Sequence, residues 1–332
     1  MDNQEKKGFL SFTAGTNDKG ERIALHVEGY VNKNRNFRPA GEKKALLRLS
    51  VSIGRNPWML LGDDAVAAQA NNPTCNADKP FVTVFVSGKQ AEELNETLPE
   101  KAKVVFSGKV QQDDYTGKDG TPSSSVTVFA DNLLVLPCQA LPEGSKPGTF
   151  VSTTTNTYTN QRGEPVTERM ACLVTGTVKS VSPKSESNGR SVVNFDMELA
   201  VPAAKVHALC VGDYQKDKDY GKYNVVRCAV WGPRADRMGA VLVPGNVLAV
   251  TGPTRVNKYN GNEYINMTAR SISVMHWATA KGAAPAPAAT PANNAGAPAP
   301  AAAPNSGPTY PSGASEYSAL MDYNEDEDDL PF

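Results

Sequence analysis

Few residues in this chain are placed for bond-making chemistry. Its three histidines, His26, His207 and His276, are scattered, and no Gly-x-x-x-x-Gly-Lys-Ser/Thr phosphate loop occurs. A His-based nuclease, a metal hydrolase or a nucleotide-cleaving loop therefore lacks its ligands. The five cysteines, Cys75, Cys138, Cys172, Cys210 and Cys228, form no Cys-x-x-Cys pair, so free thiols are expected rather than a disulfide framework or a zinc site. Asp63-Asp64 and Asp113-Asp114 are adjacent carboxylates. With nothing gathered around them to complete a two-metal centre, both are expected in solvated loops. The expectation is no catalysis, no metal and no cofactor.

The residue pattern suits non-covalent chemistry instead. Between Val31 and Arg55 stand seven bases, Lys33, Arg35, Arg38, Lys43, Lys44, Arg48 and Arg55, against one acid, Glu42. Phe37 lies inside this run and Trp58 just beyond it. Cations neutralise phosphates and aromatic faces stack on bases, each stacked base contributing roughly 1–3 kcal/mol, which is the requirement of single-stranded nucleic acid.

Charge is divided along the chain. Of 34 Lys+Arg and 35 Asp+Glu, seven acids from Glu316 to Asp329 follow a nearly uncharged stretch, so residues 1–281 hold 34 bases against 28 acids. A basic body joined to an acidic end suggests a polyanion partner for the body. The stretch from Ala278 to Ser315 is Ala, Pro, Gly, Asn, Ser and Thr with one aromatic, Tyr310, and one charge, Lys281. Such a composition cannot build a core and is expected to act as a disordered tether. The terminal Asp328, Asp329, Leu330, Pro331 and Phe332 then read as a docking peptide, with an apolar anchor, a pre-set backbone and clustered carboxylates. No apolar stretch of transmembrane length and no signal region at Met1 is seen, so a cytoplasmic location without membrane contact is expected.

The elements that must position these residues are strands in a repeated order. The first unit alternates apolar and polar residues over 24–31, 47–53, 81–88, 104–110 and 126–130, and the second over 172–178, 193–199, 225–232, 247–252 and 264–269. β-Branched and aromatic residues dominate both, as in half-buried strands. Gly88 and Gly108 are twenty residues apart, as are Gly232 and Gly252, with Gly29 and Gly176 lying 59 and 56 residues upstream. Strand glycines permit the bulges a small coiled barrel needs. Each unit has a short helical candidate after its third strand, Lys89 to Leu98 and Arg234 to Leu242. This β-β-β-α-β-β order predicts an all-β chain of two tandem OB-fold five-stranded barrels followed by a disordered Ala/Pro linker and acidic tail. The expected boundaries are 1–137 for the first barrel, 138–165 for an inter-barrel linker in which a strand is not excluded, 166–277 for the second barrel, 278–315 for the tether and 316–332 for the tail. Long loops are expected at 62–79 and 205–222.

Gly88-Lys89-Gln90-Ala91-Glu92 after an apolar strand, Gly108-Lys109-Val110, Ala130-Asp131-Asn132-Leu133 and the Asp-Asp-Leu-Pro-Phe end resemble a bacterial-type single-stranded DNA-binding protein, in the variant with two barrels per chain. The resemblance implies sequence-independent binding and protection of single-stranded DNA in replication, recombination and repair. It also implies recruitment of partner enzymes through the tip and a homodimer presenting four barrels. It makes Trp58, Phe81, Tyr115 and Tyr259 the stacking residues, with Trp231 standing where the first unit has Ser87. Lys118, Arg227, Arg255 and Lys258 complete the candidate contact set, and the two barrels are expected to contribute unequally. An OB-fold RNA-binding protein and a protein scaffold that binds no nucleic acid stay open as alternatives.

Overall fold

The computed structural model describes residues 10–69, 80–117, 120–136, 152–160, 162–212, 215–216, 218–220, 224–259 and 262–278. The chain is mostly β. In the first half, β1 (Phe12–Thr16), β2 (Arg22–Arg38) and β3 (Leu46–Ser52) are followed by a 3-10 turn, Pro57–Leu60, and α1 (Asp63–Gln69). Then come β4 (Phe81–Ser87), α2 (Lys89–Thr97), β5 (Lys103–Thr116) and β6 (Pro122–Leu136). The second half has β7 (Ser152–Thr159), β8 (Pro165–Val181), β9 (Ser185–Ser187), β10 (Arg190–Glu198) and α3 (Ala203–Cys210). It continues through β11 (Val225–Trp231), α4 (Pro233–Arg237), β12 (Val247–Tyr259), β13 (Asn262–Thr268) and β14 (Ser271–His276).

Two five-strand circuits close. In the first, β2 pairs with β3, β3 with β4, β4 in parallel with β6, β6 with β5, and β5 back to β2. In the second, β8, β10, β11, β13 and β12 repeat that order, again with one parallel pair, β11 with β13. Both circuits are OB-like, and the helices α2 and α4 stand where the sequence places them. Strict alternation fills each interior: Leu47, Leu49, Val51, Val82, Val84 and Val86 point into the first core while their neighbours face outward. At the strand bulges the chain needs glycine. A Cβ on Gly108 would lie 2.1 Å from the Phe129 carbonyl oxygen, and one on Gly252 would lie 1.8 Å from that of Thr268. No side chain is sterically possible at either crossing without moving backbone.

The repeat extends further upstream than the barrel strands. β1 with β2, and β7 with β8, are matching hairpins. Asn17 Oδ1 accepts from the backbone N–H of Lys19 and Glu21, at 3.1 and 2.8 Å, and Asn160 Oδ1 accepts from those of Arg162 and Glu164, at 3.0 and 2.9 Å. Each asparagine also donates to the following glutamate, Glu21 or Glu164, and a left-handed glycine, Gly20 or Gly163, completes each turn. β7 lies inside the 138–165 stretch expected as linker. Its Ser/Thr-rich sequence hides the strand because both faces are polar or half-covered, leaving no apolar alternation to read.

Residues up to Ala278 form one compact unit, and the hairpins help to join the two circuits. β1 touches β7 at Thr16 and Thr157, making the sheet continuous from β14 to β5. Outward residues of the barrels meet in two apolar clusters. One is Ile23 and Leu25 with Met170 and Cys172; the other is Val105 and Leu136 with Leu173, Val247, Ala249 and Met275. Strands buried on both faces lose their alternation, which explains the unbroken runs Ile23-Ala24-Leu25 and Met170-Ala171-Cys172-Leu173-Val174.

A buried polar chain crosses this joint. Ser273 Oγ donates to Glu28 Oε1, whose carboxylate also accepts from the Ser11 N–H at 2.9 Å and pairs with Lys103 at 3.1 Å. Because that hydroxyl proton is committed, Ser273 Oγ must accept from His26 Nε2, 2.6 Å away. Burial, reinforced by the charges of Arg234 and Lys103, pushes the His26 pKa down to about 3, so the ring is neutral and its Nδ1 accepts from Thr251 Oγ1 at 3.0 Å. Thr251 Oγ1 in turn accepts from the N–H of Leu173, a left-handed residue (φ 49°) in the bulge of β8 against β12. Every proton along this line has one direction.

Candidate nucleic-acid interface

The outward face of the first circuit presents residues in rungs across four strands. Pairing aligns Arg48 of β3 with Phe85 of β4, Phe85 with Phe129 of β6, and Phe129 with Lys109 of β5. This is a cation, two aromatics and a cation in one row. The Phe85 and Phe129 rings stack with centroids 5.4 Å apart and planes 15° from parallel, and Phe129 is 41 % exposed. An offset stack of this kind normally lies in a core, where it removes aromatic area from water. Here it lies open.

The next rung is Ser50, Thr83, Thr127 and Gln111, and the one below it brings Ser52 to Phe81 and Ser125 to Asp113. Phe81 is 41 % and Tyr115 52 % exposed. Together these rows line a groove of about 480 Å³ bounded by Arg48, Phe81, Phe85, Tyr115, Asp113 and the edge of Trp58. Arg48 makes no ion pair or hydrogen bond among the described residues, whereas Lys109 holds Glu21 at 2.5 Å and lowers that carboxyl's pKa. Asp114 faces the other side of its strand, where hydrogen bonds from Ser124 and Gln112 lower its pKa.

The expected contact residues are only partly brought together. Phe81 and Tyr115 are on the groove. Trp58, expected as a stacking platform, is 3 % exposed and belongs to the first core: the 3-10 turn, with the Asn56 side chain accepting from the Trp58 N–H, folds the indole inward. Phe37 is likewise corrected. Register gives it and Arg35 the parity of inward Leu47 and Leu49, so Phe37 packs on the core and Arg35 donates to the Leu98 carbonyl at 2.9 Å. Arg38 has the parity of the groove face. Lys43 and Lys44 are exposed in the connection beyond it, Lys33 is exposed 3.9 Å from Glu100, and Arg55 caps the Phe12 ring at 5.5 Å. Lys118 and the tip, Asp328 to Phe332, lie outside the described residues, as does the side chain of Tyr259. Asp63-Asp64 open α1 and Asp113-Asp114 stand on β5, so neither pair is in a loop. Residues 62–79 begin with α1, and α3 runs into 205–222.

The matching face of the second circuit is different in kind. Where the first has Arg48, Phe85 and Phe129, register places Asn194, Ala229 and Thr268; where it has Ser50 and Thr83, register places Asp196 and Arg227. Arg227 lies 3.8 Å from Asp196 and stacks at 3.9 Å over Tyr264, so its charge and that aromatic face are already engaged within the chain. Lys258 is paired with Glu263, and Trp231 and Arg255 are half-buried.

Phe85 and Phe129 are not singled out by the sequence, and Arg48 enters there only as one of seven bases in the 31–55 run. The signal was available in parity: Phe81, Thr83 and Phe85 alternate with Val82, Val84 and Val86, so both phenylalanines fall on the face opposite the core. Among the described residues no group of three His, Cys, Asp or Glu stands together as a metal cluster. Cys172, Cys210 and Cys228 are buried free thiols, the first two with pKa values pushed up to about 12 by burial.

No family model and no curated protein matches the chain. Solved structures that match include bacterial single-stranded DNA-binding proteins. The Thermus aquaticus wild-type protein is 13% identical, covering 82% of this chain and 98% of its own, with a TM-score of 0.23. The small protein of Streptomyces coelicolor is 14% identical over 35% of this chain and 94% of its own, at 0.24. The second such protein of Mycobacterium smegmatis is 20% identical over 37% of this chain and 96% of its own, at 0.24.

Proposed function

We propose that this protein binds single-stranded DNA without chemistry, holding bases on the aromatic groove of the first barrel and phosphates on the cations around it. The observation that carries the reading is the open row of Arg48, Phe85, Phe129 and Lys109, with Phe81 and Tyr115 beside it. Stacked aromatics in solvent cost free energy unless something flat covers them, and every base has a flat face. The groove is open along the sheet, which suits a strand passing through rather than an enclosed small molecule. In this reading the chain coats and protects single strands during replication, recombination and repair. Its acidic tip recruits partner enzymes, and two chains pair as a homodimer.

The test is fluorescence anisotropy of a labelled oligo(dT), repeated over a range of salt and against duplex DNA and an RNA of equal length. Expected are tight binding of the single-stranded DNA, weak binding of duplex, and a log–log salt slope of about −0.7 per phosphate neutralised. Salt-insensitive binding, or none, would refute the reading, and tighter RNA binding would transfer it to RNA. Removing Asp328 to Phe332 should leave the affinity intact while abolishing capture of partners. Light scattering decides the dimer.

A further inference from the structure

Asp113 is out of place on a surface that handles a polyanion. It lies in the groove next to Ser125, half-buried, and Gln111 Nε2 donates to its Oδ1 at 2.8 Å. Its Oδ2 has no hydrogen-bond partner among the described residues and faces the groove side of the strand, whereas Asp114 lies on the other side with Ser124 and Gln112. Among the described residues Arg48 is the one cation lining the groove, and it stands two rungs away. A phosphate is repelled from the Asp113 end and attracted to the Arg48 end, so a strand must lie with its backbone toward Arg48 and its base edges toward Asp113. The spacing fits. Phe81 and Asp113 line the same groove, and continuing the Thr83–Thr127 register by two residues puts them on one rung two strands apart, roughly 10 Å between backbones at about 4.8 Å per strand. A base stacked on Phe81 fills that gap and brings its edge to the carboxylate.

We propose, resting on the function inferred above, that Asp113 makes the groove selective among bases, favouring those with an exocyclic amino group over thymine. A carboxylate only accepts hydrogen bonds. Cytosine, adenine and guanine offer it an N–H₂, whereas thymine presents carbonyl oxygens on both sides of its single ring N–H. The hydroxyls around it, Ser125 and Thr127, both donate and accept and so discriminate little. Binding is then general along the backbone but graded by base at this one position.

The experiment compares oligo(dC) with oligo(dT) of equal length, two pyrimidines of similar stacking area, on the full chain and on its Asp113→Asn and Asp113→Ala variants. Removing a negative charge should tighten binding to both, so the readout is the ratio of the two Kd values. The ratio of the oligo(dT) Kd to the oligo(dC) Kd should fall roughly ten- to a hundredfold in each variant, the worth of one charge-assisted hydrogen bond. Retained binding with an unchanged ratio overturns the role of Asp113 alone. Binding of neither oligonucleotide by the unaltered protein overturns the parent reading as well, so the two failures are distinguishable.

Discussion

Phe85 and Phe129 are the residues on which the nucleic-acid reading depends most. Replacing either by alanine should weaken oligo(dT) binding by about ten- to a hundredfold, the range of one lost stacking contact, with little loss of fold because both rings face outward. Anisotropy titration and a urea melt check the two halves of that statement. His26 bears on stability instead. Its pKa is about 3 when folded against 6.5 as a free side chain, so the unfolded chain binds the extra proton. The stability this neutral ring permits is therefore complete above pH 6.5 and is lost as the pH falls toward 3, at up to about 1.4 kcal/mol per pH unit. Urea midpoints at pH 7 and pH 5 should differ, and His26→Gln should flatten the difference. An unchanged slope in that variant would mean that the proton is taken up elsewhere. Glu21, Asp114, Asp236 and Glu263 have lowered carboxyl pKa values and Asp131 and Glu168 raised ones, so the difference between the unaltered chain and His26→Gln, rather than the raw slope, isolates the imidazole.

At the scale of elements, the outer rows of β3, β4 and β6 differ from those of β10, β11 and β13, and so should their effects on binding. Trp231→Ala or Arg227→Ala should reduce affinity less than Phe85→Ala, because Arg227 is already satisfied by Asp196 and Tyr264. A larger loss from either would place the second face in the contact. The bulge glycines make a sharper structural prediction: Gly108→Ala and Gly252→Ala drive a Cβ into a carbonyl oxygen and should each lower stability by about 2 kcal/mol or more. The ten barrel strands were legible because most set apolar residues against polar ones, and because the glycines of the two units recur in the same order at matching spacing. β7 was not, because Thr153, Thr155 and Thr157 have no apolar partner in the pattern. Trp58 misled because Asn56-Pro57 marks a turn correctly, but a 3-10 turn can carry its aromatic inward. The groove itself was only half legible. Phe81 and Tyr115 flank it visibly, whereas the Phe85–Phe129 contact depends on a parallel pairing between strands more than forty residues apart, which no local pattern encodes.

For the whole molecule, the joint between the circuits decides how the body behaves. With two apolar clusters and a directed polar chain crossing it, residues up to Ala278 should unfold in one transition, seen as coincident fluorescence and circular dichroism melts. Two separated steps would show that the barrels are independent. The paired hairpins suggest a history as well. The Asn-to-Glu clasp of β1 and β2 recurs almost atom for atom in β7 and β8, while the aromatic row of one circuit has no counterpart in the other. If the halves descend from one duplicated ancestor, scaffold and joint were held under constraint while one copy's outer face was released to drift. The chain then carries its own paralogue, and the second face is the part of the molecule with the most freedom to acquire a new task without cost to the first.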